Sequence, residues 1–473
     1  MKILLLNAPP LKRFGIVGQI YPPLGILYLA AYLKKISGDF EIQVVDGYQE
    51  RNLEEVVKKI IRYSPEILGI SFTTQAATGA YLVINQIRRQ LPKIFIVVGG
   101  PHVTALPEES LIRSAADLVV MGEGEVTFSQ LVGRIKGNQD YRDLLGIAYR
   151  EQNQVKINAL QPLVRDLDDL PLPTRELLDI KKYPGYHYKK SFWDTSFISG
   201  RGCPFQCLFC SNPVWKHQRP WIRLRSPSNI ADEIEFLKGC YAVDEFFDQT
   251  DLFNADIQWA KMVCDELIKR NLKIFWKVQV TAQNIDEELA EKMKQAGCWL
   301  VLVGIETGND PVARGVNKKT DRASVKKSLE IFKKHGLKTL ALLMAFNVWE
   351  KNGQLGYEDR RASGNTLKFA RELIRENKID LMTWSLTTPY PGSQLFSIAQ
   401  KHRLIPENLA GRWEYWDSSE NLVMKLPGVS ERDWRWLKIR SKIWQMWLLL
   451  KSSTFNWQSS SFYCKRLINL IKN

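Results

Sequence analysis

The chain has 473 residues, 45% of them hydrophobic, which is enough for about three domains with their own cores and excludes a globally disordered protein. Its formal net charge of +15 fits either a solvated basic surface or an anionic partner, such as an acidic electron donor, a phosphorylated substrate, a membrane surface or nucleic acid. Seven cysteines, three of them within residues 203–210, exclude a disulfide framework and indicate metal ligands in a reducing compartment.

Residues 1–135 alternate short apolar runs with helical stretches, which predicts βαβ units around a parallel sheet. The predicted strands cover 2–7, 41–46, 66–71, 93–100 and 117–124, and the predicted helices include 24–36 and 53–63. Sheets of this kind bind ligands at the carboxyl ends of their strands. Residues 136–190 follow as a connector, with a small hairpin at 146–158 and a Pro-rich acidic stretch at 166–178.

A second alternating pattern occupies residues 191–400. Its strands are predicted at 195–200, 243–249, 273–280, 299–306, 337–346 and 379–387, and its helices include 229–240, 255–270, 287–297 and 323–336. Six βα units predict a full or partial barrel, with catalytic residues at the C-terminal ends of the strands. The predicted fold class is therefore α/β, with an N-terminal Rossmann-like parallel sheet, a partial (β/α)6 barrel and a mainly helical C-terminal extension.

The extension, residues 401–473, holds seven of the 15 tryptophans, and from residue 431 onward nine Lys or Arg stand against two acidic residues. A basic aromatic helix is predicted at 434–451. Such a helix lies on a membrane surface or covers a lipid-like substrate, or it packs on the barrel as a lid. No apolar run approaches the about 20 residues that cross a bilayer, so the expected location is the cytoplasm, with peripheral membrane contact through this tail.

The strongest motif is RGCPFQCLFC at 201–210, where Cys203, Cys207 and Cys210 have the spacing C-x3-C-x2-C directly after a predicted strand. Three thiolates can hold three irons of a cubane cluster and leave the fourth iron open to a small chelating molecule. A structural zinc site normally has four protein ligands, and His217 is the available fourth donor for zinc. The iron–sulfur cluster is the favoured interpretation.

This spacing resembles the hallmark of the radical S-adenosylmethionine superfamily. The resemblance implies a [4Fe–4S] cluster whose open iron is chelated by S-adenosylmethionine and whose electron cleaves the sulfonium to a 5′-deoxyadenosyl radical. It also implies S-adenosylmethionine contacts at Phe209, at Asp248 and Asp251 in FFDQTDLF, and at Gly304 and Glu306 in GIETG. A carboxylate can accept hydrogen bonds from an ammonium group, and a strand-end cap is the structural alternative for the aspartates.

After the fifth barrel strand the chain departs from the pattern of that superfamily. Relatives carry a G-x-P-G-E-T-like turn, whereas residues 345–359 read AFNVWEKNGQLGYED, with neither Pro-Gly nor that Glu-Thr pair. Asn347 is a weak substitute for the adenosyl or substrate contact expected there, and the loop can instead be specialised for substrate. The turn PYPGSQL at 389–395 resembles the family's late P-G-[TS] turn.

The first domain resembles the cobalamin-binding domain that many of these enzymes carry, on the segments YPPLG (21–25), SFTT (71–74), GGPH (99–102) and GEGE (122–125). The resemblance implies that Gly99 and Gly100 let the backbone pass close to the nucleotide tail of cobalamin. Ser71 and Thr73 would supply hydroxyl groups to it. The D-x-H-x-x-G motif, whose His binds cobalt, is absent, and His102 is interpreted as a turn residue.

Together these features resemble the group of anaerobic porphyrin cyclases, hopanoid-pathway enzymes and C-methyltransferases, and imply methylation of an unactivated carbon through methylcobalamin. The alternative is radical cyclisation, rearrangement or oxidation of a tetrapyrrole- or lipid-like substrate without methyl transfer. A methylthiotransferase is disfavoured, because the enzymes of that class that resemble this barrel carry three more cluster cysteines in the first domain, and residues 1–202 contain no Cys. A non-enzymatic metal- or nucleic-acid-binding module is the remote alternative. The expected partners are a small-molecule or lipid-like substrate and an acidic electron donor such as flavodoxin or ferredoxin.

Overall fold

The computed structural model describes residues 1–11, 20–152, 154–186 and 188–451, with the backbone alone at 449–451. Seven strands form the first sheet, in the order β2-β1-β3-β4-β5-β6-β7. They are β1 (Lys2–Asn7), β2 (Glu41–Asp46), β3 (Ile67–Ser71), β4 (Phe95–Gly99), β5 (Leu118–Val120), β6 (Ile147–Glu151) and β7 (Gln154–Ile157). Strands β1–β5 are parallel, and β6 and β7 continue the sheet antiparallel.

Helices cover both faces of this sheet, which is why its parallel strands are continuous apolar runs. They are α1 (Leu24–Ile36), α2 (Leu53–Tyr63), α3 (Ala77–Gln90), α4 (Pro101–Ala105), α5 (Pro107–Arg113) and α6 (Gly124–Lys136). Helices α1 and α6 pack on one face, and α2 to α5 pack on the other. The predicted hairpin at 146–158 forms β6 and β7, but it extends the first sheet rather than standing apart in a connector.

The second sheet is a curled half-barrel of six parallel strands, in the order β17-β14-β13-β12-β11-β8. Numbered along the chain, its strands and the two antiparallel strand pairs beside them are β8 (Asp194–Phe197), β9 (Gly200–Gly202), β10 (Ile222–Leu224), β11 (Glu245–Asp248), β12 (Phe275–Thr281), β13 (Cys298–Glu306), β14 (Lys338–Ala345), β15 (Val348–Lys351), β16 (Gln354–Tyr357) and β17 (Leu381–Leu386). The predicted partial barrel is confirmed. The predicted strand at 195–200 is wrong in extent, because β8 ends at Phe197 and β9 pairs with β10.

Helices pack on the outer face of the half-barrel and bury its largest core. They are α7 (Pro227–Tyr241), α8 (Ile257–Arg270), α9 (Glu287–Gln295), α10 (Asp310–Gly315), α11 (Arg322–Lys334), α12 (Arg360–Arg375), α13 (Gln394–Lys401) and α14 (Glu431–Lys451). The loop 345–359, which lacks the expected turn, instead folds as the β15–β16 hairpin.

The C-terminal extension contacts both sheets. Trp413 and Trp416 are buried against the core of the first sheet, and Trp413 Nε1 donates to Glu109 at 2.6 Å. Helix α14 packs on β17 and α12, with Leu437 and Leu448 buried in the half-barrel core. The tail beyond residue 451, including Trp457 and Cys464, lies outside the described residues. No helix in the described ranges combines the length and hydropathy needed to span a membrane.

Candidate cofactor and active site

The cysteine loop follows β9 at the C-terminal end of the half-barrel and carries Cys203, Cys207 and Cys210, all partly buried and none in a disulfide. Distant elements fix its backbone: Leu208 N donates to Val316 O at 3.0 Å, and Leu395 N donates to Leu208 O at 2.9 Å. Gly202, which precedes the first cysteine, has φ +91°, and a Cβ there would lie 1.9 Å from the Trp221 carbonyl oxygen. The loop therefore enters the site through a turn that only glycine fits.

Two lysines lie beside these thiols, and sequence reasoning missed both. Burial raises the pKa of Cys207 and raises that of Cys210 to about 11, while Lys318 acts in the opposite direction on Cys207. Lys216 similarly opposes the burial that raises the pKa of Cys203, and its Nζ donates to the Phe205 carbonyl. Because metal ligands must be deprotonated, binding a metal here releases protons and draws on these positive charges.

Among the residues that the structure describes, no three or more His, Cys, Asp or Glu side chains lie close enough to hold a single metal ion. A structural zinc ion is normally held by four protein ligands, and this loop offers three thiols. A cubane instead binds each thiolate at a different iron. His217 Nε2 is 3.1 Å from the Gln161 carbonyl oxygen, which gives its ring a partner other than metal. The arrangement favours the cluster over zinc.

The two candidate aspartates at the end of β11 and in the turn after it have different environments. Asp248 is fully buried, and its carboxylate accepts from Ser199 N at 3.1 Å, from Ser199 Oγ at 2.5 Å and from Thr250 N at 3.0 Å. Burial raises the pKa of Asp248 to about 6. These contacts favour the strand-end cap over the cofactor contact expected for Asp248. Asp251 accepts from Gly202 N at 2.9 Å and borders a large cavity, so it is the aspartate of this turn that can meet a ligand.

The GIETG segment lies where β13 ends beside the cysteine loop. Glu306 has φ +64° at a register shift against β14, and its Oε1 lies 3.1 Å from Lys318 Nζ. A Cβ at Gly304 would lie 2.8 Å from Glu306 Oε1, so this glycine leaves room for the ion pair. Burial alone would lower the pKa of Lys318, but the negative charges of Glu306 and Cys207 have the larger effect. The pKa of Lys318 is therefore raised. Phe209 is half-buried and packs against the half-barrel core.

A buried polar network at the next strand ends centres on Glu358, a residue that sequence reasoning missed. Its carboxylate accepts from Asn347 N at 3.0 Å, from Asn347 Nδ2 at 2.9 Å and from Thr307 Oγ1 at 3.2 Å. Burial raises the pKa of Glu358. The β15–β16 hairpin separates Asn347 from Glu358 in sequence yet returns the chain to the same point. Asn347, proposed above as a ligand contact, is fully buried and bound to Glu358.

One cavity joins the first sheet to the cysteine loop. Its unfilled space is about 1300 Å³, part of it open to solvent, and its walls include Ser71, Gly99 and Gly100 from the strand ends of the first sheet. Gly202 and Asp251 form part of the opposite wall. A Cβ at Gly100, where φ is +100°, would lie 2.8 Å from the Phe72 carbonyl oxygen, so this position requires glycine.

Two residues of the first domain lie elsewhere than the sequence suggests. Thr73 is exposed and is not among the residues that line the cavity. His102, interpreted from the sequence as a turn residue, is instead buried in helix α4, with Nε2 3.0 Å from Tyr81 Oη and Nδ1 3.2 Å from Thr74 Oγ1. Burial lowers the pKa of His102 to about 3, so the ring is neutral and has a structural role.

Ion pairs close one side of the cavity. Glu123 and Glu125, the acidic residues of GEGE, pair with arginines of the β9–β10 strands: Arg201 Nη2 lies 2.7 Å from Glu125, and Arg223 Nη2 lies 2.6 Å from Glu123. Arg201 also stacks on Tyr28, with Cζ 5.3 Å from the ring centroid. Because Arg201 is two residues from Cys203, these pairs fix the cysteine loop relative to the first sheet.

Two families match the chain: the B12 binding domain over residues 14–132 and the Radical SAM superfamily over residues 197–350. An uncharacterized methyltransferase of Pyrococcus horikoshii is 30% identical over 433 residues, which cover 90% of this chain and 88% of the relative. The chain belongs to the cobalamin-dependent radical S-adenosylmethionine enzymes. An anaerobic magnesium-protoporphyrin IX monomethyl ester cyclase of Rubrivivax gelatinosus is 31% identical over 386 residues, which cover 80% of this chain and 66% of the cyclase.

Solved structures share the fold of this radical S-adenosylmethionine enzyme. The cobalamin-dependent enzyme OxsB, with aqua-cobalamin and S-adenosylmethionine bound, superposes with a TM-score of 0.74 over 99% of this chain and 71% of OxsB, at 16% identity. The methyltransferase TsrM from Kitasatospora setae, with cobalamin and a [4Fe–4S] cluster bound, superposes with a TM-score of 0.68 over 85% of this chain and 75% of TsrM, at 18% identity.

The cofactors of the enzyme are a [4Fe–4S] cluster, S-adenosylmethionine and cobalamin. The residues present fit these groups. One loop offers three thiols and no fourth, which suits a cluster with an open iron. On the cavity wall, a Cβ at Gly25 would meet nothing within 4 Å, and one at Gly99 would meet only the Val120 carbonyl at 3.5 Å. The glycines thus leave space for a large planar ligand.

Proposed function

We propose that this enzyme transfers a methyl group to an unactivated carbon of a small-molecule or lipid-like substrate. The observation that carries the proposal is the shared cavity, because Gly100 of the first sheet and Gly202 of the cysteine loop line the same space. When bound, the cluster supplies the electron that cleaves S-adenosylmethionine to a hydrogen-abstracting radical, and cobalamin supplies the methyl group. Similarity to the Pyrococcus methyltransferase also supports it.

The chain's own residues have positioning roles in this proposal. Cys203, Cys207 and Cys210 hold the cluster. Glu306 and Asp251 would accept hydrogen bonds from the amino group of S-adenosylmethionine. The Arg201 ion pairs keep the two half-sites in register, so that the reacting groups meet at a fixed distance. The positive charge near the cysteines suits an acidic electron donor approaching from solvent.

The cobalamin site can be tested at Gly25. Gly25→Phe is expected to occupy part of the cavity and reduce bound cobalamin at least about tenfold, while cluster iron stays at the wild-type level. Gly25 is exposed in α1, and a Cβ added there would meet no protein atom within 4 Å, so the substitution starts without a backbone clash. The measurement is cobalamin absorbance per chain after anaerobic reconstitution and gel filtration.

Gly133 provides the matched control for Gly25→Phe. It is also an exposed helical glycine with nothing within 4 Å of a Cβ, but it lies in α6 and is not among the cavity-lining residues. Gly133→Phe should therefore retain cobalamin. Equal retention by both variants would place cobalamin outside this cavity.

Methyl transfer itself is tested with S-adenosylmethionine carrying a trideuterated methyl group. The reconstituted enzyme is incubated under dithionite with a metabolite and lipid extract, and products are identified by mass spectrometry. We expect a product heavier by one trideuteromethyl group, together with both S-adenosylhomocysteine and 5′-deoxyadenosine. The Cys207→Ala enzyme is the control.

The second candidate is radical cyclisation, rearrangement or oxidation without methyl transfer. It is supported by similarity to the Rubrivivax cyclase. In the same experiment it predicts 5′-deoxyadenosine without S-adenosylhomocysteine, and a product that contains no deuterium. That result would replace methyl transfer with the second candidate while leaving the radical chemistry intact.

A further inference from the structure

Helix α14 has an apolar stripe on the face turned away from the half-barrel. Ile439, Ile443 and Trp447 are 47%, 53% and 37% exposed, and their four-residue spacing places them along one line. The opposite face holds Leu437 and Leu448, which are buried in the core. The sequence left open whether this helix packs on the barrel or meets a membrane. The structure gives one face to packing and leaves the other apolar and exposed.

Basic residues lie next to this stripe. Arg435, four residues before Ile439, continues the same row and pairs with Glu431 at 2.6 Å, and Arg432 is also exposed on α14. Beside the stripe, α12 and α14 enclose a groove of about 1040 Å³, part of it open to solvent. Its five basic residues outnumber its two aspartates, Asp359 and Asp433. The basic residues are Arg360, Arg361, Lys368, Arg371 and Arg440.

Tryptophan rings hold the arginines of this groove in place. The guanidinium carbons of Arg360 and Arg440 each lie 4.6 Å from the Trp436 ring centroid, and that of Arg371 lies 5.0 Å from the Trp444 centroid. Cation–π contact orders these long side chains at the surface. Their planar guanidinium groups can still donate to phosphate oxygens at the edges of the stack.

We propose that the outer face of α14 and the α12–α14 groove form a docking surface for an anionic phospholipid membrane. Isoleucine and tryptophan side chains enter the boundary between headgroups and acyl chains, and the arginines bind lipid phosphates. The packed inner face lets α14 lie flat without unfolding. An acidic electron donor fits this surface less well, because three large apolar side chains form its centre and β17 is at the opposite edge of the sheet from β8, which precedes the cysteine loop. This inference does not depend on methyl transfer.

The test uses the full-length reconstituted enzyme and sedimentation with vesicles. At low salt the enzyme should pellet with phosphatidylcholine–phosphatidylglycerol vesicles and remain in the supernatant with phosphatidylcholine alone. Added salt should release part of the bound protein, because it screens the arginine–phosphate attraction. Absence of binding to anionic vesicles at low salt would overturn the proposal.

Paired variants separate this surface from general hydrophobicity and charge. Ile439→Glu/Ile443→Glu should lower the vesicle partition coefficient at least about tenfold. The matched control, Leu82→Glu/Ile112→Glu, removes two exposed apolar side chains from the first domain, 41% and 70% exposed, and adds the same charge. The vesicle partition coefficient of this control should fall by less than threefold from the wild-type value, which corresponds to a loss of at most about 0.6 kcal/mol of binding free energy. Equal loss in both variants would overturn the assignment, as would loss of binding to an acidic flavodoxin but not to vesicles.

Discussion

Replacing Cys207 with Ala is expected to remove the cluster and reduce 5′-deoxyadenosine formation to the background of enzyme-free controls. Cys207 lies between the other two cysteines in a loop fixed by α10 and α13, and two remaining thiols cannot hold three irons of a cubane. Without the cluster no electron reaches S-adenosylmethionine. The measurements are iron and sulfide per chain, the electron paramagnetic resonance signal after dithionite, and 5′-deoxyadenosine by chromatography.

Cys240→Ala is the matched control, because Cys240 is an exposed free cysteine at the end of α7. It should keep iron and S-adenosylmethionine cleavage at wild-type levels. Cys207→Ala should also still bind cobalamin, since the strand ends of the first sheet are untouched. Cleavage of S-adenosylmethionine by Cys207→Ala at a comparable rate would contradict the assignment of this loop as the cluster site.

The elements that the sequence predicted best are those whose pattern is local. Strands β1 and β2 and helices α1 and α2 have the bounds that were predicted, because each is one apolar run or one amphipathic period between breakers. The strand predicted at 195–200 was extended too far for a nonlocal reason: Gly200–Gly202 pairs with Ile222–Leu224, twenty residues away. The hydropathy pattern of one segment does not show which distant segment it pairs with.

The candidate site shows the same division. The cysteine spacing is local, and it identified the loop. By contrast, Asp248 and Asp251 look alike in FFDQTDLF. They differ in burial: Asp248 is inaccessible to solvent, whereas Asp251 lines the cavity. Lys318 lies 108 residues after Cys210 in the numbering, and Glu358 is separated from Asn347 by a hairpin. Neither position belongs to a motif, so only the folded chain could bring them to the site.

The half-barrel interior also contains a buried cluster of charged side chains that no sequence motif predicted. Lys277 Nζ lies 2.7 Å from Asp194 Oδ2 and 2.8 Å from Glu245 Oε1, and all three side chains are inaccessible to solvent. Tyr21, from the chain between β1 and α1, donates to Asp194 Oδ2 at 2.7 Å. Trp299 Nε1 donates to Glu245 at 2.9 Å. The cluster therefore joins the first sheet's connecting chain to the floor of the half-barrel.

Lys277→Met should lower the free energy of unfolding of the half-barrel by about 3–5 kcal/mol, because it leaves two carboxylates buried without their cation. Denaturant unfolding followed by tryptophan fluorescence measures the loss. Lys34→Met removes a surface ion pair with Glu176, 3.0 Å long and roughly half exposed, and should cost no more than about 1 kcal/mol.

The triple variant Lys277→Met/Asp194→Asn/Glu245→Gln distinguishes the buried charge from lost packing. With no unpaired charge left, it should recover a large part of the stability that Lys277→Met loses, since the penalty comes from uncompensated charge. If the triple variant is as unstable as the single one, then the lysine's packing, and not its charge, supports the floor of the half-barrel. Tyr21 would then contribute to stability more through its ring contact with Phe247 than through its hydroxyl group. The centroids of these two rings are 5.9 Å apart.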